Sequence, residues 1–439
     1  MFFSKSIILN KKSLAVSKMR KDALEIIESA YEAIDIEKTT RKRFYIKGSD
    51  LFICDLGKKE KIDLSLYNRI FAIGFGKGSY AAVSVIADVL GKRLYGAIAL
   101  DTKTSCKPAK PNKNVDIYWG THPRPSKANV EATSTIVSVV SDLKENDLVI
   151  YFTGGGGSSL LCGSLDEMEH SSLLFKELTR QGASITELNI VRKHLSLVKG
   201  GNLAKLTYPA TSVSLFVSDV CGNDLSTIAS GPTVFDSSTI NDAISVLNKY
   251  KIPFDNIDFI ETPKEKHYFD KCKYFILACN EDAALAMVET ARKLGYYSNI
   301  ESLSIQGEAR DVFLPELKKI KEKSVLVMAG ETVITLMGSG VGGRNQEACL
   351  GVLAQAYKKE ISLDGLLVSS FASDGYDNTP IAGAIVDALT LKKVFDKKID
   401  PVKNLENDDS YELFIKLGDF IEVERRAFNV SDLMLIIKE

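Results

Sequence analysis

Residues 148–161 read LVIYFTGGGGSSLL: an apolar run of β-branched and aromatic residues stops at four glycines and two serines. Four adjacent glycines lose more backbone entropy on folding than any other four residues, so a chain that is compact around them must gain something specific. Without Cβ atoms, successive N–H groups can form an anion nest where a helix is expected to start, near Ser158. The competing reading is a tight strand-to-helix turn packed closely against a neighbouring strand. A nest would take a phosphate or a carboxylate.

Outward from this stretch, short apolar runs alternate with amphipathic segments, the pattern of parallel strands buried on both faces and joined by crossover helices. Strands are expected at 70–74, 96–100, 115–119, 148–153, 212–218, 274–278, 325–329 and 366–370. So many strands suit two sheets, hence two domains that both vary an open, Rossmann-like α/β architecture. The charged, proline-containing stretch 249–271 has the weakest periodicity and sets the boundary. We expect an N-terminal domain over 18–262, a C-terminal domain over 263–439, and residues 1–17 as a loosely attached extension or a packed strand.

The 439 residues exceed one domain of ~150 residues. Lys plus Arg (56) nearly balances Asp plus Glu (57), so no overall field favours nucleic acid or an anionic membrane. No window approaches the ~18 apolar residues of a membrane-spanning helix, and the lysines near the N-terminus interrupt any secretory signal. Seven cysteines without metal-ligand spacing read as reduced, mostly buried thiols of a cytoplasmic protein. The expected partners are small molecules, and a homo-oligomer is compatible with this composition.

In open α/β sheets ligands bind outside the carboxyl ends of the strands, so the segments that follow strands carry the functional expectation. GFGKGSY (74–80) fits neither G-x-G-x-x-G nor the Walker pattern, but it holds Lys77 between two glycines at an expected helix start. In LNIVRKHLSLVKGG (188–201), a 3.6-residue period places Asn189, Arg192, Ser196 and Lys199 in one polar stripe, with Arg192 and Lys199 able to hold a carboxylate or phosphate. The same period puts His194 on the opposite side, exposed or structural. Asp219, Asp374 and Glu331 follow strands directly and are candidates for Mg²⁺ binding or proton transfer, with helix capping as the alternative. GVGGRNQE (340–347) sets Arg344 and Asn345 beside glycines, where an arginine suits a transferring phosphoryl group better than packing.

In their order, GFGKGS, THPRP, TGGGGSSLL, ELNIVRKHLSLVKGGNLA, SDVCGNDLSTIASGPT, GETVITLMGSGVGGRNQE and SDGYDNTPIAGAIVD resemble the MOFRL family of glycerate 2-kinases from about residue 20 to the C-terminus. The resemblance implies two α/β domains with the active site in a cleft, ATP as co-substrate, Mg²⁺ or another divalent cation, and D-glycerate as acceptor. It carries the family's lysine onto Lys77, its arginine onto Arg344 and its acidic residue onto Asp374. In that setting Gly154, Gly155, Gly156, Gly157 and Ser158 cradle an oxyanion. Asn189, Arg192, Lys199 and Asn345 bind substrate or phosphate, and Asp219 serves the metal. Thr153, Ser159, Asn223 and Asn378 depart from the usual family residues. So does RAFNVSDL near the C-terminus, where we assign no contact to Ala427 or Phe428. The rival readings are a glycerate/hydroxypyruvate oxidoreductase, which lacks its G-x-G-x-x-G, and a non-enzymatic phosphoacid-binding protein.

Overall fold

The computed structural model describes residues 6–439 other than 56, 106, 107, 255, 425, 427 and 428. Cys106, Ala427, Phe428 and the first five residues therefore lie outside the described residues. The chain divides into two compact units, one of Ile36–Ala278 (unit N) and one joining the residues up to Asp35 to Cys279–Glu439 (unit C).

Unit N opens with a small antiparallel sheet of β1 (Phe44–Lys47), β2 (Asp50–Cys54) and β3 (Lys59–Asp63). Its main sheet contains β4 (Arg69–Phe75), β5 (Leu94–Thr102), β6 (Val115–Gly120), β7 (Asp147–Thr153), β8 (Thr211–Val217) and β9 (Cys272–Ala278). The spatial order is β6-β5-β4-β7-β8-β9, and every pairing is parallel. That is the doubly wound Rossmann order, with helices on both faces. All seven residues of β7 and of β8 are buried, as a central parallel strand requires. Each fully buried large apolar side chain contributes roughly 1.5–3 kcal/mol, so these two strands anchor the core.

Unit C contains β10 (Tyr297–Ile305), β11 (Ser324–Gly330), β12 (Leu366–Ala372), β13 (Gly383–Asp387), β14 (Phe420–Ile421) and β15 (Asp432–Lys438). The order β10-β11-β15-β12-β13-β14 is mixed: β15 lies between β11 and β12 and runs antiparallel to both. The expectation of parallel strands therefore holds throughout the main sheet of unit N and only for the β10–β11 pairing here.

Unit C also takes up helix Lys18–Ala33, so the units do not follow the expected 18–262 and 263–439 split. The cause is electrostatic as well as apolar. Arg20, fully buried, donates to Asp387 through Nε and Nη2 (both 2.7 Å) and to Asp419 through Nη1 (2.6 Å). The described part of the expected N-terminal extension is packed too. Ile8 is buried and bridges Val423, and Asn10 donates to the Phe420 carbonyl (2.7 Å) and accepts from the Glu422 N–H (3.1 Å). Cys162, Cys279 and Cys349 are buried free thiols, and Cys54 and Cys272 are half-buried free thiols. No helix among the described residues is long and apolar enough to cross a membrane.

Candidate active-site clusters

In unit N the strand order reverses between β4 and β7, and open α/β sheets bind ligands outside the strand ends at such a reversal. The Lys77 loop follows β4 and the glycine quartet follows β7. The two loops are knitted together: the Gly154 N–H donates to the Phe75 carbonyl (3.0 Å) and the Lys77 N–H to the Gly155 carbonyl (2.8 Å). A Cβ on Gly76, whose φ is +110°, would stand 2.4 Å from the Gly154 carbonyl oxygen, and one on Gly154 would stand 2.3 Å from that of Lys77. Close packing therefore accounts for part of the quartet. The N–H groups of Gly155, Gly156 and Ser158 have no acceptor among the described residues, so the nest geometry is also present. The following helix is a single turn, Gly157–Leu160, and its dipole adds little; the cradle consists of the N–H groups themselves.

His122 closes one side. A Cβ on Gly156 would lie 2.6 Å from its ring. Asn129 holds the His122 loop in place: its Oδ1 accepts from the N–H groups of Thr121 (2.9 Å) and Ser126 (3.0 Å), and its Nδ2 donates to the Thr121 (3.0 Å) and Ser159 (3.1 Å) carbonyls. Desolvation, and after it the nearby charges of Lys77 and Arg192, lowers His122 to about 4. It is thus a neutral imidazole at physiological pH, in a field that two cations make positive. Sequence reasoning missed Asn129, although S-x-x-N is a readable capping pattern.

The polar stripe expected over 189–199 does not form as one helix face. Helix Ile185–Lys193 ends six residues before Lys199. Lys199 is buried, its ammonium ion-paired with the equally buried Glu167 and donating to the Leu161 carbonyl (2.6 Å). It is a structural cation and is corrected from a substrate ligand. Ser196 likewise donates to Glu167 (2.9 Å). His194 is fully buried between the Ile190 carbonyl and Glu261, which excludes the exposed reading and leaves the structural one. Arg192 remains available. It lies 4.6 Å over the Phe175 ring, and among the described residues it has no carboxylate partner in hydrogen-bond contact. Burial lowers it to about 10, partly opposed by Glu167, so it keeps its charge at neutral pH.

Asn189 and Ser158 are linked through Ser230, whose hydroxyl lies 3.0 Å from that of Ser158 and donates to Asn189 Oδ1 (2.8 Å). Ser230 sits in a left-handed run with Ala229 and Gly231 (φ 61°, 51° and 58°). That conformation costs roughly 1–2 kcal/mol for each non-glycine residue. The run is held by Gly200 and Gly201, whose N–H groups donate to the Ser230 and Gly231 carbonyls (3.0 and 2.8 Å). Asp219, half-buried after β8, has Oδ2 3.6 Å from where a Cβ on Gly155 would be, so it borders the quartet.

Unit C carries the second cluster. The glycines before Arg344 answer to packing, contrary to the open backbone expected: a Cβ on Gly338 would stand 2.4 Å from Asn407, and one on Gly343 2.1 Å from the Asp377 carbonyl oxygen. Helix Arg344–Tyr357 is capped from outside by Asp377, which accepts from the N–H groups of Asn345 (3.2 Å) and Gln346 (2.9 Å). Arg344 is not a free cation. Its Nη1 donates to Glu331 (2.5 Å) and its Nε lies 2.5 Å from Asp432 Oδ2. Those two carboxylates outweigh the cost of burial and hold Arg344 above its ordinary value.

Asn345 is buried and committed, donating to Asp377 (3.1 Å) and Asp432 (2.9 Å) while accepting from Ser370 (2.6 Å). It orders the two carboxylates and is corrected from a direct ligand. Asp374 follows β12 in a turn, its Oδ1 accepting from the Tyr376 N–H (3.1 Å). Since no helix starts there, helix capping is excluded. Arg344, Asp374, Asp377 and Asp432 border one cavity of about 130 Å³. Asp377 and Asp432 escaped sequence reasoning because their roles depend on partners 31 to 88 residues away.

Burial pushes Asp432 up to about 7 despite Arg344. The folded state then holds a proton that the unfolded chain, with an ordinary Asp near 3.9, has released. Stability through this group is present below about pH 4 and is lost as pH rises towards 7. Asp432→Asn should remove that decline, and thermal unfolding across pH 4–7 measures it; an unchanged pH slope contradicts the assignment.

The sequence matches the family described as "Domain of unknown function (DUF4147)" over residues 22–258 and the MOFRL family over residues 324–432. A D-glycerate 2-kinase of Thermotoga maritima is 33% identical, with 95% of this chain and 98% of that protein covered. A glycerate 2-kinase of Pyrococcus horikoshii is 32% identical, with coverages of 95% and 97%. A crystal structure of a glycerate kinase from Thermotoga maritima superposes with a TM-score of 0.82 at 30% identity, covering 96% of this chain and 99% of that one.

Proposed function

The chain belongs to the MOFRL family of glycerate 2-kinases, and from that premise we propose that it transfers the γ-phosphoryl group of ATP to the 2-hydroxyl of D-glycerate, giving 2-phosphoglycerate and ADP. The observation that carries the proposal is the pairing of Lys77 with the glycine cradle at the reversal point of a doubly wound sheet, where oxyanions bind. Phosphoryl transfer passes through a loose transition state in most analyses, so positioning and charge neutralisation do most of the work. Lys77 neutralises phosphate oxygens, the cradle fixes them, and Arg192 receives a further anionic oxygen. Arg344, aligned by Asp432 and Glu331, stabilises the transferring group. The free thiols of Cys54, Cys162, Cys272, Cys279 and Cys349 support a reducing, cytoplasmic setting for this reaction.

Mg²⁺ fits this chemistry. Among the described residues no three His, Cys, Asp or Glu side chains form a metal cage. Mg²⁺ commonly takes one or two carboxylates together with water and substrate phosphates, and Asp219 beside Gly155 provides one. When bound it would offset phosphate charge.

Incubation with ATP, Mg²⁺ and D-glycerate should give a product that enolase consumes without a mutase. Formation of the 3-phospho isomer alone overturns the regiochemistry, and glycerate-dependent NAD(P)H absorbance changes would favour the oxidoreductase.

Asp374 is the base that accepts the proton of the glycerate 2-hydroxyl. Asp374→Asn should bind Mg·ATP normally and turn over slowly, with excess Mg²⁺ giving no rescue. A raised Mg²⁺ requirement, partly rescued by metal, would make it a metal ligand instead.

A further inference from the structure

A cavity of about 430 Å³ lies in unit N between helix Leu165–Arg180 and the loop Pro123–Pro125, and Ser158 and Ser159 of the quartet loop form part of its wall. Its size exceeds that of a three-carbon acid several-fold and falls in the ~300–1,000 Å³ range of pockets that engulf ligands of nucleotide size. Its charge is equally informative. Arg124, Lys176, Arg180 and Arg192 line it, against one carboxylate, Glu167. That carboxylate is already spent on Lys199, the Gly163 N–H (2.7 Å) and the Ser196 hydroxyl.

Arg180 is tied to Glu177, while Arg192 has no anion of its own. A guanidinium that is partly desolvated and lacks a carboxylate partner calls for an anionic ligand, because its lost hydration is otherwise uncompensated. Phe175, an aromatic side chain left 39% exposed, and the rings of Pro123 and Pro125 supply flat apolar surface beside these cations. Apolar surface for a base, hydroxyls for a sugar and cations for phosphate occur together here.

We propose that this cavity receives the nucleoside portion of a nucleoside triphosphate, with its phosphates running past Arg192 and Ser158 to the glycine cradle. The assignment rests on the kinase reading above and adds to it the place of the donor.

Thr179→Trp, at an exposed position on the cavity wall, fills the space without touching the core. In the full chain, calorimetric titration with ADP should show Kd at least tenfold weaker. KM for ATP should rise in parallel, while KM for D-glycerate stays within twofold. Phe175→Ala should weaken ADP at least fivefold and serves if the tryptophan variant does not fold. Unchanged ADP affinity in a folded variant overturns the assignment, as does a rise confined to the glycerate KM, which would make the cavity the acceptor site. The two readings fail separately. A wild-type protein that makes 2-phosphoglycerate while the filled variant retains ADP affinity sinks only the cavity assignment; a wild-type protein that neither binds ADP nor turns over sinks both.

Discussion

Lys77→Ala is expected to lower kcat by roughly 100-fold or more, the scale for removing one preorganised electrostatic contact, with no change in melting temperature. The separation follows from how the residue is held. Its position is fixed by the backbone, through the N–H bond to Gly155 and the left-handed glycines on either side, Gly76 and Gly78 (φ +110° and +81°). Its ammonium makes no hydrogen bond or ion pair among the described residues, so truncation removes charge and leaves packing intact. His122 gives a second readout. Because Lys77 helps to lower the His122 imidazole, the variant should titrate at a pH above about 4, measurable by NMR. Activity within a few-fold of wild type, with His122 unmoved, would reduce Lys77 to a surface charge.

The His122 readout also bears on how much of the cluster a sequence can disclose. Lys77, the quartet and Asp219 are legible because each follows an apolar run that can only be a buried strand, and sheet topology then makes strand ends the functional edge. β4, β7, β8 and β12 announce themselves for the same reason. β15 is as apolar, but nothing local says that it inserts antiparallel between β11 and β12. β3 (KEKID) is too charged to stand out from loop, and β1 (FYIK) and β2 (DLFIC) are too short, at four and five residues, for an alternation to declare itself.

Lys199 shows the complementary failure. A helical period extended from Arg192 gives it a ligand's position, yet the helix stops at Lys193 and the ammonium is claimed by Glu167, 32 residues away. The period describes a face only while the helix lasts. The glycines of GVGG mislead in another way: a glycine needed for close approach to Asn407 or Asp377 looks the same in sequence as one needed for a phosphate.

Arg20→Ala should produce the largest loss of stability, about 3–5 kcal/mol, because it leaves Asp387 and Asp419 buried without their shared counter-ion. Lys393, which reaches Asp419 (2.7 Å), compensates only one of the two. Arg20→Lys should recover a minor part, since a point charge cannot reproduce a fork that meets Asp387 through two nitrogens and Asp419 through a third. The pH dependence identifies the cause. Burial raises the Asp387 carboxyl, but the hydrogen bond and charge of Arg20 outweigh it and hold the group below its ordinary value. That contribution is present above the unfolded pKa of about 3.9 and is lost as pH falls through the lower folded value. In the variant the same carboxylate is buried and unpaired, so acid relieves its cost. The stability gap between wild type and variant should therefore be widest near neutrality and narrow below about pH 4. Urea unfolding followed by a probe in unit C measures it, and a loss under about 1 kcal/mol, or a gap indifferent to pH, would mean that apolar contacts alone hold helix Lys18–Ala33 in place.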